Sequence, residues 1–401
     1  MYIPFSPPDM TDLEAIRVRE TILSGWITTG PKVEEFEKKI SDFCHTEKTV
    51  CMSSATAALE LTLRMLGIGA GDEVIVPAYT YTASCSVICH VGATPVMIDS
   101  AKDNIQMDYA LMEAAITDKT KAIIAVDIAG IICDYEKINK AVDNKKTIFR
   151  PACDIQKNMG RIAVIADSAH GFGATRNGIP SGSHADFTCF SFHAVKNLTT
   201  AEGGAVTWKK LQGIDSNRLY EKYCMMSIHG QTRSSLNKSR SGVWEYDVVG
   251  PYYKCNMTDI TAAIGLAQLE RYEVMLDRRH KIIDKYNNAF KDLRVRVADH
   301  TGPFHRSSGH LYMVRVEGID EEKRNHIISS MADRNISCNV HYKPLPMFTA
   351  YKELGFNIKD FPNAYALFKN EITLPLYSRL TEKHTEYIIE SFISCVEECR
   401  L

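Results

Sequence analysis

The sequence predicts an α/β fold: a large three-layer domain on a mostly parallel sheet, followed by a smaller α+β domain at the C-terminus. Short β-branched runs alternate with amphipathic segments from Glu73 onward. Several of those runs end in a polar residue, and the pattern changes after Met257 to a long helical stretch with a few strand candidates. The 401 residues fit two domains at roughly 150 residues each. We place the division at 256/257, giving a large domain over 1–256 and a small one over 257–401.

Composition narrows the class. Apolar residues make up 45% and charged residues 24%, which excludes a disordered or fibrous chain. Lys and Arg total 47 against 49 Asp and Glu, a net charge of -2, so no overall field favours a polyanion. Nucleic acid is not an expected partner.

In chain order the strand candidates are Val74–Val76, Pro95–Ile98, Ala122–Val126, Ile162–Ala166, Phe187–Phe190 and Gly204–Trp208. Asp99, Asp127, Asp167 and Ser191 stand at or just beyond the ends of four of them. Ligands of open α/β sheets bind beyond the carboxyl ends of strands, which directs attention to these residues. The polar segment Lys137 to Arg161 exceeds the length of a simple crossover and reads as a helix plus an inserted surface excursion. Thr261 to about Tyr286 reads as one long helix, Leu311–Val316 as a strand, and Glu382 to Glu397 as a closing helix.

The stretch Val74 to Ile98 carries no charge beyond a possible one on His90 and is long enough to cross a bilayer. Pro77, Pro95, Gly92 and several hydroxyl residues interrupt it, so strand, helix and strand within a core are expected, and no membrane association. Twelve cysteines lack a paired framework, and the N-terminus lacks the basic flank and apolar run of a signal peptide. Reduced thiols in the cytoplasm follow. There is no C-x-x-C, and Cys85 with Cys89 or Cys395 with Cys399 cannot complete a zinc site, so no metal is expected.

Three segments carry chemistry. Ser53-Ser-Ala-Thr-Ala-Ala-Leu59 opens a helix, where free backbone N–H groups and the Ser54 and Thr56 hydroxyls could hold a phosphate, although an ordinary N-cap has the same residues. Val164-Ile-Ala-Asp-Ser-Ala-His170 delivers Asp167 to a strand end, where an apolar setting calls for a cationic partner; a helix cap would also account for it. Ser191-Phe-His-Ala-Val-Lys196 places one lysine after a buried strand. Partial desolvation there would lower its pKa and free the amine to attack an aldehyde, whereas a lone lysine is usually solvated. Taken together, a phosphate cradle, a carboxylate for a ring nitrogen and a nucleophilic lysine match what pyridoxal phosphate requires. Competing signatures such as G-x-x-x-x-G-K-[ST], H-E-x-x-H and G-x-S-x-G are missing.

An ordered series of motifs extends nearly end to end. It comprises Gly25-Trp-Ile-Thr-Thr-Gly-Pro31, the Ser53–Leu59 segment, Gly71-Asp-Glu-Val-Ile-Val-Pro77, Gly92-Ala-Thr-Pro-Val96, Asp167-Ser-Ala-His170, the Ser191–Lys196 segment, Glu202-Gly-Gly204, Asn256-Met-Thr-Asp259, Ala262–Leu269 and Leu374-Pro-Leu-Tyr377. With this set the chain resembles the sugar aminotransferase family DegT/DnrJ/EryC1/StrS, a branch of the fold-type I pyridoxal phosphate enzymes. The resemblance implies a large cofactor-binding domain with an N-terminal arm. It also implies that Lys196 holds the cofactor covalently, that Asp167 pairs with its pyridine nitrogen, and that Tyr81 stacks on its ring. Ala55, Thr56 and Ser191 would bind the phosphate, and His170 would flank the ring. Asn256 would reach the phosphate site of a neighbouring subunit, which implies a homodimer with shared active sites.

By the same resemblance, glutamate donates an amino group to a ketone on a nucleotide-linked sugar, in a pathway to surface glycans or natural products. The Thr199-Thr-Ala-Glu-Gly-Gly204 tail points to a 4-keto sugar, with a 3-keto sugar as the alternative. His229-Gly-Gln-Thr-Arg233 and His341-Tyr342 match segments near the sugar nucleotide, making His229, His341 and Tyr342 substrate-binding candidates. Two features depart from the family pattern, namely Pro346 where a histidine is common and the long 137–161 region. A non-catalytic regulator on the same fold would predict loss of Lys196, Asp167 or Tyr81, and all three are present.

Overall fold

The computed structural model describes residues 2–232 and 245–400. Arg233, the last residue of the His229–Arg233 segment, lies outside them. The strands of the main sheet are β1 Lys48–Met52, β2 Glu73–Pro77, β3 Thr94–Ile98, β4 Thr120–Val126, β5 Ala163–Asp167, β6 Phe187–Ser191 and β7 Gly204–Trp208. The helices before and between them are α1 Asp12–Leu23, α2 Pro31–Cys44, α3 Ala55–Met65, α4 Ala83–His90, α5 Tyr109–Ala114, α6 Tyr135–Asn144 and α7 Asp154–Met159. After β7 come α8 Ser216–Met226, α9 Asp259–Glu270 and α10 Tyr272–Phe290. The C-terminal part adds β8 Val295–Val297, β9 Tyr312–Val316, α11 Glu321–Asp333, α12 Thr349–Glu353, α13 Pro362–Phe368, β10 Glu371–Leu374 and α14 Glu382–Arg400.

The seven strands lie in the order β1-β7-β6-β5-β4-β2-β3. β7 alone runs against the rest, because it is the return arm of a hairpin with β6. Both faces are covered, and the alternating side-chain direction of a strand sends neighbours to different cores. Val74 and Val76 pack with α3 and α4, whereas Ile75 between them packs with α5 and α6. Phe190 and Ala205 face α2 and α9. The charge-free stretch is β2, α4 and β3, and among the described residues no helix is long and apolar enough to cross a membrane.

Three details correct or extend the sequence reading. β1 precedes the first expected strand and pairs with β7 from Lys48↔Trp208 to Met52↔Gly204. The long helix expected from Thr261 is two helices, broken at Arg271, where the backbone leaves helical values at φ -119° and ψ 10°. The Arg271 guanidinium reaches back to Asp9 and to the buried Glu14, tying the break to the N-terminal region. The 137–161 segment is a helix followed by a largely exposed excursion, but the excursion is anchored by Phe149 and a fully buried Gln156.

The C-terminal sheet has the order β8-β9-β10 and packs against α11 and α14 around Tyr312, Ile327, Ile372, Ile388 and Phe392. Ile3 of the N-terminal arm is buried in this core and bridges Ile336. Met257, Ala262, Leu266, Met275 and Leu276 pack with Phe36 of α2 and Phe190 of the large sheet, whereas Ile282 and Ile283 join the C-terminal core. We therefore propose that the division of the chain falls inside α10, between Leu276 and Ile282, in place of 256/257.

The two parts meet along a hydrogen-bonded seam. Ser308 N–H donates to the Gly130 carbonyl, and His310 N–H to that of Ala129 at 3.4 Å. Gly130 adopts φ +79°, and a Cβ there would stand 1.9 Å from Ser308 Oγ, so both the conformation and the close approach require glycine.

Gln156 Nε2 donates to the Leu66 carbonyl at the end of α3, and its Oε1 accepts from Ala152 N–H. Gln156→Leu should cost about 1–3 kcal/mol, since it leaves these buried groups short of partners. Urea unfolding would measure this, and an unchanged midpoint would show that the excursion is not anchored there.

Candidate active site

The carboxyl ends of β5 and β6 lie side by side, with Asp167 in register with Cys189. Asp167 is 4% exposed. Its Oδ2 accepts from the Ser84 hydroxyl at 2.6 Å and its Oδ1 from Ala169 N–H at 3.2 Å. Burial pushes the Asp167 carboxyl above its ordinary pKa, and these two donors and the Lys196 charge pull it back. Lys196, on the turn after β6, has an amine with no hydrogen-bond partner among the described residues. Burial lowers it to about 8, opposed by the Asp167 charge. A neutral amine is thus available near physiological pH, as expected of a nucleophile.

The candidate phosphate-binding segment opens α3. Ser54 caps α3 by accepting from Ala57 N–H, and Ala58 N–H bonds the Ser54 carbonyl. The Ala55 and Thr56 amides are left without an acceptor inside the helix. Across the hairpin Ser191 pairs with Gly204, and a Cβ on Gly204 would stand 2.3 Å from the Ala55 nitrogen. Ser191, Ala55 and Thr56 are therefore brought together by one glycine that lets β7 close on the first turn of α3. Free first-turn amides, a hydroxyl, a buried carboxylate and the half-buried Lys196 form a donor and acceptor set that fits pyridoxal phosphate. Tyr81 lies three residues before Ser84 and is 60% exposed, with its ring centroid 6.1 Å from that of Tyr342.

His170, His341 and Tyr342 join Lys196 around a cavity of about 50 Å³, together with Phe5, Ser6 and His310. His170 Nδ1 accepts from Ala129 N–H at 3.3 Å, so its Nε2 carries the proton and meets the Tyr342 hydroxyl at 3.1 Å. Burial keeps His170 well below its ordinary pKa, with a further contribution from Lys196. His341 is lowered to about 3 for the same reasons. It is backed by Thr373 at 2.9 Å and stacked on Phe5 of the N-terminal arm at 5.6 Å.

Two expected site residues stand apart from this cluster within one chain. Asn256 pairs with Met52 in an isolated bridge, and its Nδ2 donates to Thr29 Oγ1 at 2.5 Å. His229 is exposed at φ +65°, with its backbone N–H on the Tyr253 carbonyl. Residues that the sequence reading passed over are Ser84, which orients Asp167, and Asn197, Ser308 and His310 behind Lys196. Each acts across more than 80 positions, and only the abundance of hydroxyl residues around Thr80–Ser86 hinted at any of them.

Comparison with known proteins gives a consistent result. The sequence profile of the DegT/DnrJ/EryC1/StrS aminotransferase family matches residues 8–393. The spore coat polysaccharide biosynthesis protein SpsC of Bacillus subtilis is 36% identical over 397 residues, covering 97% of this chain and 96% of SpsC. The putative sugar aminotransferase Spr1654 from Streptococcus pneumoniae, in its PMP-form, superposes with a TM-score of 0.97 at 55% identity, covering 99% of this chain and all of that one (100%). Its PLP-form gives 0.96 at 54% identity, with 100% of both chains covered. Helicobacter pylori PseC, an aminotransferase involved in the biosynthesis of pseudoaminic acid, gives 0.86 at 26% identity over 99% of this chain and 100% of that one. With a sequence profile matched over nearly its whole length and a seven-stranded fold shared with solved sugar aminotransferases, this chain belongs to the DegT/DnrJ/EryC1/StrS aminotransferase family.

Proposed function

We propose that the protein is a pyridoxal phosphate-dependent aminotransferase that transfers the amino group of glutamate to a nucleotide-linked 4-keto sugar. The observation that carries this reading is the unpartnered, desolvated amine of Lys196 beside the buried carboxylate of Asp167. When bound, pyridoxal phosphate supplies an electron sink for negative charge developing on the carbon that bears the amino group. Asp167 holds a proton on the ring nitrogen, and its burial makes that pairing strong. The Ala55 and Thr56 amides and the Ser191 hydroxyl hold the phosphate, and Tyr81 covers the ring. Lys196, with an amine that loses its proton near pH 8, takes the proton from the donor's α-carbon and later returns one to the sugar carbon. His170 stays neutral beside the ring and adds no competing charge.

His341 and Tyr342 line the cavity next to Lys196 and are the contacts we assign to the sugar. The preference for a 4-keto acceptor rests on the Thr199–Gly204 tail, whose Thr200 Oγ1 closes the turn on the Glu202 carbonyl at 2.8 Å. SpsC takes part in polysaccharide biosynthesis by its name, and that supports an amino sugar destined for a surface glycan. We further propose a homodimer in which His229 and Asn256 serve the partner's site. The exposed Tyr246, Val248, Val249 and Tyr253 near Asn256 in sequence support an interface there.

The purified protein should be yellow, and borohydride should fix the cofactor permanently to the Lys196 peptide, read by mass; Lys196→Ala should lose both signals. Cofactor capture by the apoprotein should rise with pH through a midpoint near 8, because the reactive form is the neutral amine. Asp167→Asn should move that midpoint down, since the aspartate charge is what raises it. A midpoint near the ordinary lysine value of about 10.4 would contradict the buried site. Incubation with glutamate and UDP-, dTDP- and GDP-linked 4-keto and 3-keto sugars, followed by mass detection of the amine, tests the substrate; amination of 3-keto sugars alone would overturn the assignment. For the dimer, co-refolding inactive Lys196→Ala with weakly active Asn256→Ala should regenerate activity, as one mixed site keeps both residues. No gain on mixing would place Asn256 in its own chain's site.

A further inference from the structure

The geometry points to His310 as a positioning residue for Lys196, which grips the lysine-bearing turn through Asn197 and turns the lone pair of its Nε2 toward the cavity of the lysine amine. Asn197 directly follows Lys196 in the chain. Its Nδ2 donates to the Ser308 carbonyl at 2.7 Å, so the atom it presents to His310 Nδ1, at 2.9 Å, is the carboxamide oxygen. That oxygen can only accept, which fixes the proton of His310 on Nδ1.

Burial holds His310 well below its ordinary pKa, aided by His170 and Lys196, so the ring is neutral and Nε2 is an acceptor. Among the described residues no hydrogen bond engages this Nε2, and none engages the Lys196 amine. Both side chains line the same small cavity. A donor lacking an acceptor and an acceptor lacking a donor there are complementary. The imidazole is itself immobilised, with its ring centroid 4.3 Å from that of His170 and its backbone N–H on the Ala129 carbonyl at 3.4 Å. His310 thus transmits the position of the 128–130 turn to the amine, a role separate from that of His170 against Tyr342.

This inference rests on Lys196 being the cofactor-binding lysine, and its test is read on cofactor capture, with no sugar or amino donor present. Apoproteins of the wild type, His310→Asn and His310→Phe are mixed with pyridoxal phosphate, and the rate and equilibrium of covalent capture are followed with the melting temperature. Asparagine keeps an N–H where Nδ1–H stands and has no acceptor on the Nε2 side. His310→Asn should therefore retain wild-type melting and affinity within about threefold, but capture the cofactor roughly 10²-fold more slowly. His310→Phe should be as slow and also bind roughly tenfold more weakly. Asn197→Ala should show the same tenfold weakening while keeping the histidine, which preserves the comparison if phenylalanine does not fold.

Wild-type capture rate in His310→Asn would overturn the role of Nε2. Wild-type affinity in Asn197→Ala would overturn the grip on the turn. A wild type that captures no cofactor at all would instead overturn the proposed function.

Discussion

A carboxylate out of water next to an amine out of water is the constraint on which the rest of this structure depends. Burial alone would neutralise Asp167 by protonation and Lys196 by deprotonation, and each group partly restrains the other. Contact between them would quench both, and no ion pair joins them among the described residues. The site must therefore keep the two groups close but apart, with the aspartate supported by Ser84 and Ala169 and the lysine by almost nothing. A flat ring with a cationic nitrogen at one end and an aldehyde at the other satisfies both at once.

The fold maintains that spacing with its stiffest parts. Asp167 ends a strand hydrogen-bonded on both sides, and Lys196 leaves the neighbouring strand five residues beyond Ser191. The reversed strand β7 looks like an irregularity in a parallel sheet, yet it brings Gly204 against the first turn of α3 and so joins that turn to the hairpin that precedes Lys196. A side chain at that glycine would force the helix start away from Ser191. Strand register thus places Asp167, Ser191 and Gly204, whereas Lys196 and Tyr81 stand on the turns that follow strands.

Legibility in the sequence follows the range of the interactions. β2 to β7 were readable because mostly buried strands are β-branched, and two of them end in Asp167 and Ser191. β1 escaped notice because Lys48–Met52 runs straight into the small-residue segment that opens α3, leaving no turn signal between them. The break at Arg271 has no glycine or proline to announce it; a guanidinium held by residues 9 and 14 makes it. Lys196, Asp167 and the Ser54 cap were visible because their chemistry is local to a motif. Ser84, Ser308 and His310 were not, since each takes its meaning from a partner brought near only by the folded sheet.

The seam between residues 307–310 and the 128–130 turn has a mechanical consequence. Stitched by backbone bonds and an obligate glycine, the C-terminal sheet cannot swing away from the strand ends like a door without tearing the network that ends at the lysine. Room for a bulky substrate must then come from rearrangement at the periphery, while the Lys196 turn keeps its place.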